Sequence, residues 1–69
     1  MRDLNNSIGK VKPGDYVTLV ASRTDDKWLV VSVRPPYRNE YFPHVIIRRR
    51  YDRQTIELTE PIFAVQKVQ

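Results

Sequence analysis

Cysteine is absent from the sequence, histidine occurs once and glycine only twice. Each scarcity closes off a class of chemistry. Without thiols there is neither a disulfide to staple a small core nor a thiolate metal site, so stability must come from packing and hydrogen bonds. A chain without cysteine also suits a reducing compartment. One imidazole, His44, cannot form a histidine metal cluster, and two glycines, Gly9 and Gly14, cannot build a phosphate-cradling loop. No apolar run approaches the roughly 18 residues of a membrane span, and the opening MRDLNNSIGK lacks the apolar core and small-residue cleavage site of a signal peptide. These features predict a soluble, cytoplasmic protein with no cofactor and no membrane contact.

The residues of catalysis are equally sparse. Asp25 and Asp26 are adjacent, so on a strand they face opposite sides and in a turn they serve as polar caps. Ser7, Ser22 and Ser32 have only His44 as a possible base, and none lies in a nucleophile elbow. The sequence is expected to encode a non-enzyme. At 69 residues it forms one domain, and so short a chain buries only about 60% of the surface its unfolded form exposes.

What the sequence does contain is unevenly distributed charge. Residues 34 to 53 carry six arginines, Arg34, Arg38, Arg48, Arg49, Arg50 and Arg53, against only Glu40 and Asp52. The rest of the chain balances six basic residues against six acidic ones, so the whole formal charge of +4 arises in this one stretch. Planar guanidinium groups suit bidentate phosphate contacts and stacking better than the ammonium of lysine. The asymmetry points to a polyanionic or acidic partner.

Hydrophobic patterning predicts strands throughout. Residues 1 to 9 read as a flexible lead-in, and residues 10 to 69 as a single small β-barrel domain. Pro13 and Gly14 supply turn dihedrals, with Asp15 accepting from nearby backbone amides. From Tyr16 onward Val17, Leu19 and Ala21 share one face. In KWLVVSVR, Leu29, Val31 and Val33 share a face opposite Trp28, Val30 and Ser32. The segment RPPYRNEYFP holds three prolines and is predicted as a semi-rigid extended loop. HVIIRRRY and TIELTE, joined by a Tyr-Asp-Arg turn, form an antiparallel hairpin. IFAVQKV closes the chain as a short strand with Phe63 and Val65 on one side. No helix of substance is expected. Five short strands in about 60 residues cannot fill a sandwich, so the predicted fold is all-β, a small five-stranded, partly open barrel.

The stretch VKPGDYVTLV, Val11 to Val20, resembles the opening strand of Src-homology-3-like small barrels, particularly the KOW-type modules of ribosomal and transcription-elongation proteins, in which a Gly-Asp turn precedes a Val-rich strand. The resemblance implies a Src-homology-3-like barrel that binds RNA or another protein.

Two groups of residues are candidates for contact. With Val45 and Ile47 pointing inward, His44, Ile46, Arg48 and Arg50 form an outward line, and Arg49 with Tyr51 falls at the rim. Arg53, Arg34 and Arg38 would extend this line to a contiguous patch of five or six guanidinium groups able to neutralise several phosphates. The plainer reading is that these charges guard a hairpin end against edge-to-edge pairing. The second group is Tyr37, Tyr41 and Phe42 interleaved with Arg38, suited to stacking on bases or on a partner's aromatic faces. Its plainer reading is that Phe42 and one tyrosine fold over the open end of the barrel. Trp28 and Phe63 are the expected large core side chains.

The sequence therefore predicts a binding module that contacts nucleic acid, RNA or DNA, through Arg34, Tyr37, Arg38, Arg48, Arg49, Arg50 and Arg53. The competing reading is a protein-interaction barrel, an accessory subunit, assembly component or inhibitor docking on an acidic protein surface. A monomer is expected, or a weak dimer formed through the edge of the last strand.

Overall fold

A computed structural model describes residues 11 to 68; the predicted lead-in, residues 1 to 9, lies outside them. Five strands are present: β1 (Tyr16–Leu19), β2 (Trp28–Arg34), β3 (His44–Tyr51), β4 (Gln54–Pro61) and β5 (Val65–Lys67). They form one antiparallel sheet of order β4-β3-β2-β1-β5. β4 and β5 are its two edges, and no pairing joins them, so the sheet is open among the described residues.

The chain enters β1 through a tight turn. Asp15 donates its backbone N–H to the Lys12 carbonyl (3.1 Å), and the Asp15 carboxylate accepts the Lys12 N–H (3.0 Å). That bond is the main reason the Asp15 carboxyl is held below its ordinary pKa. Proline at the second position and a φ of +95° at Gly14 in the third are the requirements of a type II turn. The turn is docked on β2, since Gly14 donates to the Val30 carbonyl (2.9 Å) and Val30 donates to Asp15 (2.8 Å).

The core lies on one face of the sheet, its inner face. Val17, Val30, Val45 and Ile47 are fully buried, with Val11, Trp28, Ile62 and Val65 nearly so; Leu19, Val33, Ile56 and Leu58 pack against them. The inward register of Val45 and Ile47 follows the predicted alternation. In β2 the alternation breaks. The pairing register shifts between Val30 and Ser32, a bulge that inserts Val31 without an opposite residue. Val30 lies opposite Ile47 and Val33 opposite Val45, so Trp28, Val30 and Val33 share the core face, contrary to strict period two. One extra residue reverses the phase of everything after it.

The closing segment also departs from expectation. Ile62–Ala64 is a single 3-10 turn, and only Val65–Lys67 is strand. With three residues per turn, Ile62 and Val65 fall on the same side and are buried, while Phe63 is turned out and 58% exposed. Phe63 is therefore not a core residue. It meets Phe42 edge to face, ring centroids 5.2 Å apart, on the outside of the molecule.

β3 and β4 are joined by the two-residue turn Asp52–Arg53, with φ of 50° and 69°. Positive φ at both central positions defines a type I′ turn, which matches the strand twist but is strained for residues bearing a Cβ. The double change Asp52→Asn and Arg53→Gly is expected to stabilise the protein by about 1 kcal/mol. A thermal melt should show this as a rise of roughly 4 to 8 °C.

Candidate functional site

Cross-strand register builds the outer face of the sheet. Tyr16 lies opposite Leu29, Leu29 opposite Arg48 and Arg48 opposite Glu57, so these four form one row across β1, β2, β3 and β4. Beside this row lies a shallow groove of about 390 Å³, lined by Tyr16, Lys27, Leu29, Arg48, Arg49, Arg50 and Thr55. A second groove, about 450 Å³, continues past Tyr16 and Lys27 to Gly14, Asp15, Lys67 and Val68. Tyr16 stands between the two with 52% of its surface exposed.

The cations of the groove are held to different degrees. Arg48 pairs with Glu57 across the hairpin, its Nη2 donating at 2.8 Å and its Nε at 3.1 Å to one carboxylate oxygen, and both side chains are about half exposed. Such a surface pair is worth about 0 to 1 kcal/mol, so the guanidinium exchanges partners at little cost. Lys27 and Arg50 have no acidic partner among the described residues. Arg49 is fixed. Its Nη1 donates to Asp26 (2.7 Å), and its guanidinium lies 5.6 Å from the Trp28 ring centre and 5.4 Å from that of Tyr51. Asp26 also accepts the Thr24 hydroxyl (2.9 Å), and Thr24 is linked in turn to Ser22 (3.0 Å), so Arg49 ties the polar β1–β2 connection to β3.

The other predicted residues lie elsewhere. Arg34 lies opposite His44, at the far end of β2 and β3 from Arg48, Arg49 and Arg50. The turn carrying Arg53 follows Tyr51, beyond the opposite end of β3. Seven residue steps at about 3.3 Å separate His44 from Tyr51, roughly 23 Å. The proline loop and the hairpin tip thus sit at opposite ends of one strand, and the contiguous patch of five or six guanidinium groups is not formed.

Arg34 is a clamp within its own loop. It donates to both oxygens of Glu40 (2.9 and 3.3 Å) and to the Pro35 carbonyl (3.2 Å), and its guanidinium lies 3.7 Å from the centre of the Tyr37 ring. Glu40 also accepts the Tyr37 N–H (2.8 Å), while its own N–H closes a turn onto the Tyr37 carbonyl (2.9 Å). The Arg34 guanidinium, helped by the Tyr37 amide, holds the Glu40 carboxyl down at about 2. Arg38 sits at the tip of this turn, exposed and with no acidic partner among the described residues.

A carboxyl whose pKa is depressed by folding adds stability that is complete above its ordinary value of 4.5 and disappears as pH falls through about 2. Wild-type melting temperature should accordingly fall across that window. A Glu40→Gln variant should melt lower near neutrality and decline less steeply toward acid, which thermal unfolding by circular dichroism at a series of pH values would measure.

Tyr16, Lys27, Leu29 and Lys67 were not singled out by sequence reasoning. Tyr16 had one legible signal, its place on the outward phase of β1 beside the inward Val17. No group of three or more His, Asp or Glu side chains able to hold a metal occurs among the described residues, and no helix there is long and apolar enough to cross a membrane. Fold and site together define a small antiparallel β-sheet protein with a cationic groove on its outer face. Set beside protein-family models, curated proteins and solved structures, the chain matches none of them.

Proposed function

We propose that the protein is a non-catalytic binding module whose outer-face groove contacts nucleic acid, mainly through phosphates. The observation that carries this reading is the convergence of Lys27, Arg48 and Arg50 on one groove floored by Tyr16 and Leu29. Lys27 and Arg50 are uncommitted among the described residues and Arg48 is only loosely paired, which leaves about three cations to displace counterions from a polyanion. Arg49 lends the groove its backbone, while its guanidinium lies on the Trp28 side of the sheet and is bonded to Asp26. Arg34 and Tyr37 shape the loop at the other end of the sheet, and Arg38 and Arg53 are peripheral to the groove.

In this proposal the sheet curls as a partly open, Src-homology-3-like barrel. Its support is that the core draws on all five strands and on Ile62 of the connecting turn, which an uncurled sheet of this size cannot bring together.

Affinity for DNA and RNA oligonucleotides, measured at 50 and 200 mM salt, tests the function. Three phosphate contacts predict a loss of about 20- to 40-fold between those concentrations. Absence of binding at the lower salt refutes the proposal.

A protein partner is the second reading, and a different observation favours it. Tyr41, 91% exposed, adjoins the outward Phe42–Phe63 pair, an aromatic surface remote from the groove. A partner captured after nuclease treatment, lost on Phe42→Ser and retained on Arg50→Glu, would support it.

A further inference from the structure

Building on the nucleic-acid reading, we infer that the ligand is single-stranded and that Tyr16 is the platform on which a base stacks, with Lys27 and Lys67 steering the backbone past it. The groove containing Arg48 and Arg50 does not end at Tyr16. It continues past the ring to the edge of the sheet, sharing Tyr16 and Lys27 between its two halves, and Lys67 reaches it around that edge from its position opposite Val17.

An aromatic ring half exposed on a β-strand, with cations on both sides, is the arrangement by which a protein holds a strand whose bases are free. A duplex offers such a ring nothing to stack on, because its bases already face one another. It is read by an element that enters a major groove about 12 Å wide, and the broad face of a five-stranded sheet is not such an element. The carboxylates nearby offset only part of the field. Asp15 is engaged by the Lys12 amide and lies 3.6 Å from the Lys67 ammonium, and Asp26 and Glu57 are each engaged by one arginine, which leaves Lys27 and Arg50 in excess. From β5, which carries Lys67, to β3, which carries Arg48, is three inter-strand spacings, about 14 Å. That span accommodates a few nucleotides.

The experiment uses the whole chain and fluorescein-labelled oligonucleotides of about 12 nucleotides, poly-dT and poly-rU, together with a duplex of equal length. Fluorescence anisotropy is followed at 50 and 200 mM salt. Single strands should bind more tightly than the duplex. Tyr16→Thr, which keeps a strand-forming residue at an exposed position, should weaken single-strand binding by about 5- to 150-fold with the salt dependence unchanged, and Tyr16→Phe should bind as wild type. Lys67→Ala, at an exposed edge position, should reduce the salt slope by about one and keeps the test open should Tyr16→Thr fail to fold. Duplex binding equal to or tighter than single-strand binding, or a folded Tyr16→Thr variant of wild-type affinity, overturns this inference and leaves the phosphate groove standing. No binding to any of the three oligonucleotides at the lower salt overturns both.

Discussion

Replacing Trp28 with alanine is expected to unfold the protein. The indole is 7% exposed and packs on the inner face of the sheet, in register with Val17 across β1 and β2. Removing a buried aromatic ring costs about 3 to 5 kcal/mol, because the lost transfer energy is joined by that of the cavity left behind. A domain of 69 residues has about 3 to 10 kcal/mol of stability in total. The change also deprives Arg49 of the ring beneath its guanidinium, loosening its tie to Asp26. Circular dichroism should show either no cooperative transition or a midpoint lowered by at least about 12 °C. Trp28→Phe should retain most of the stability. Phe63→Ala, at a position turned to solvent, should shift the midpoint far less. A Trp28→Ala protein melting within a few degrees of wild type would show that the core is misassigned.

The largest effect on the proposed binding is expected from reversing the two uncommitted groove cations, Lys27→Glu with Arg50→Glu. Hydrogen bonds to a charged group contribute about 1.5 to 3 kcal/mol each, so losing two of them and adding repulsion should lower affinity for a nucleic-acid strand by about 100-fold or more at low salt. Neither side chain has an acidic partner among the described residues, so no carboxylate there is stranded and the melting temperature should barely move. Arg38→Glu provides the comparison. It changes net charge by the same amount per residue, but from the loop at the other end of β2 and β3, and it should alter affinity several-fold at most. Equal effects from both sites would mean that overall charge, and not the groove, governs binding.

How far these features could be read from sequence depended on the range of the interaction involved. The Pro13–Gly14–Asp15 turn, the inward Val45 and Ile47 and the tight β3–β4 hairpin are local patterns, decided by residues within a few positions of one another. The bulge at Val31 was hidden, because VVSV fits either phase equally well and only pairing with Ile46 and Ile47 selects one. The inversion of Phe63 and Ile62 was hidden for a related reason. An extended segment and a 3-10 turn place the same residues on different sides, and Pro61, the last residue of β4, does not say which follows.

The charges divide in the same way. Six arginines in one stretch were visible as composition, but which of them are neutralised depends on partners as distant as Asp26, 23 residues from Arg49. Arg34 and Arg49 are occupied in holding loops, and the groove instead recruits Lys27 and Tyr16 from elsewhere in the chain. Charge counting finds the protein's bias but not its geometry.

The order of strands also sets the order of assembly. β2, β3 and β4 are sequential neighbours joined by antiparallel pairing and can zip together early, at low loop-closure cost. β5 must return to β1, where Leu19 meets Val65 and Val17 meets Lys67. Those contacts link the most widely separated strands of the chain, so they belong to the late, slow side of the folding barrier. A mutation in β5 should therefore chiefly hasten unfolding, whereas one in β3 should retard folding itself.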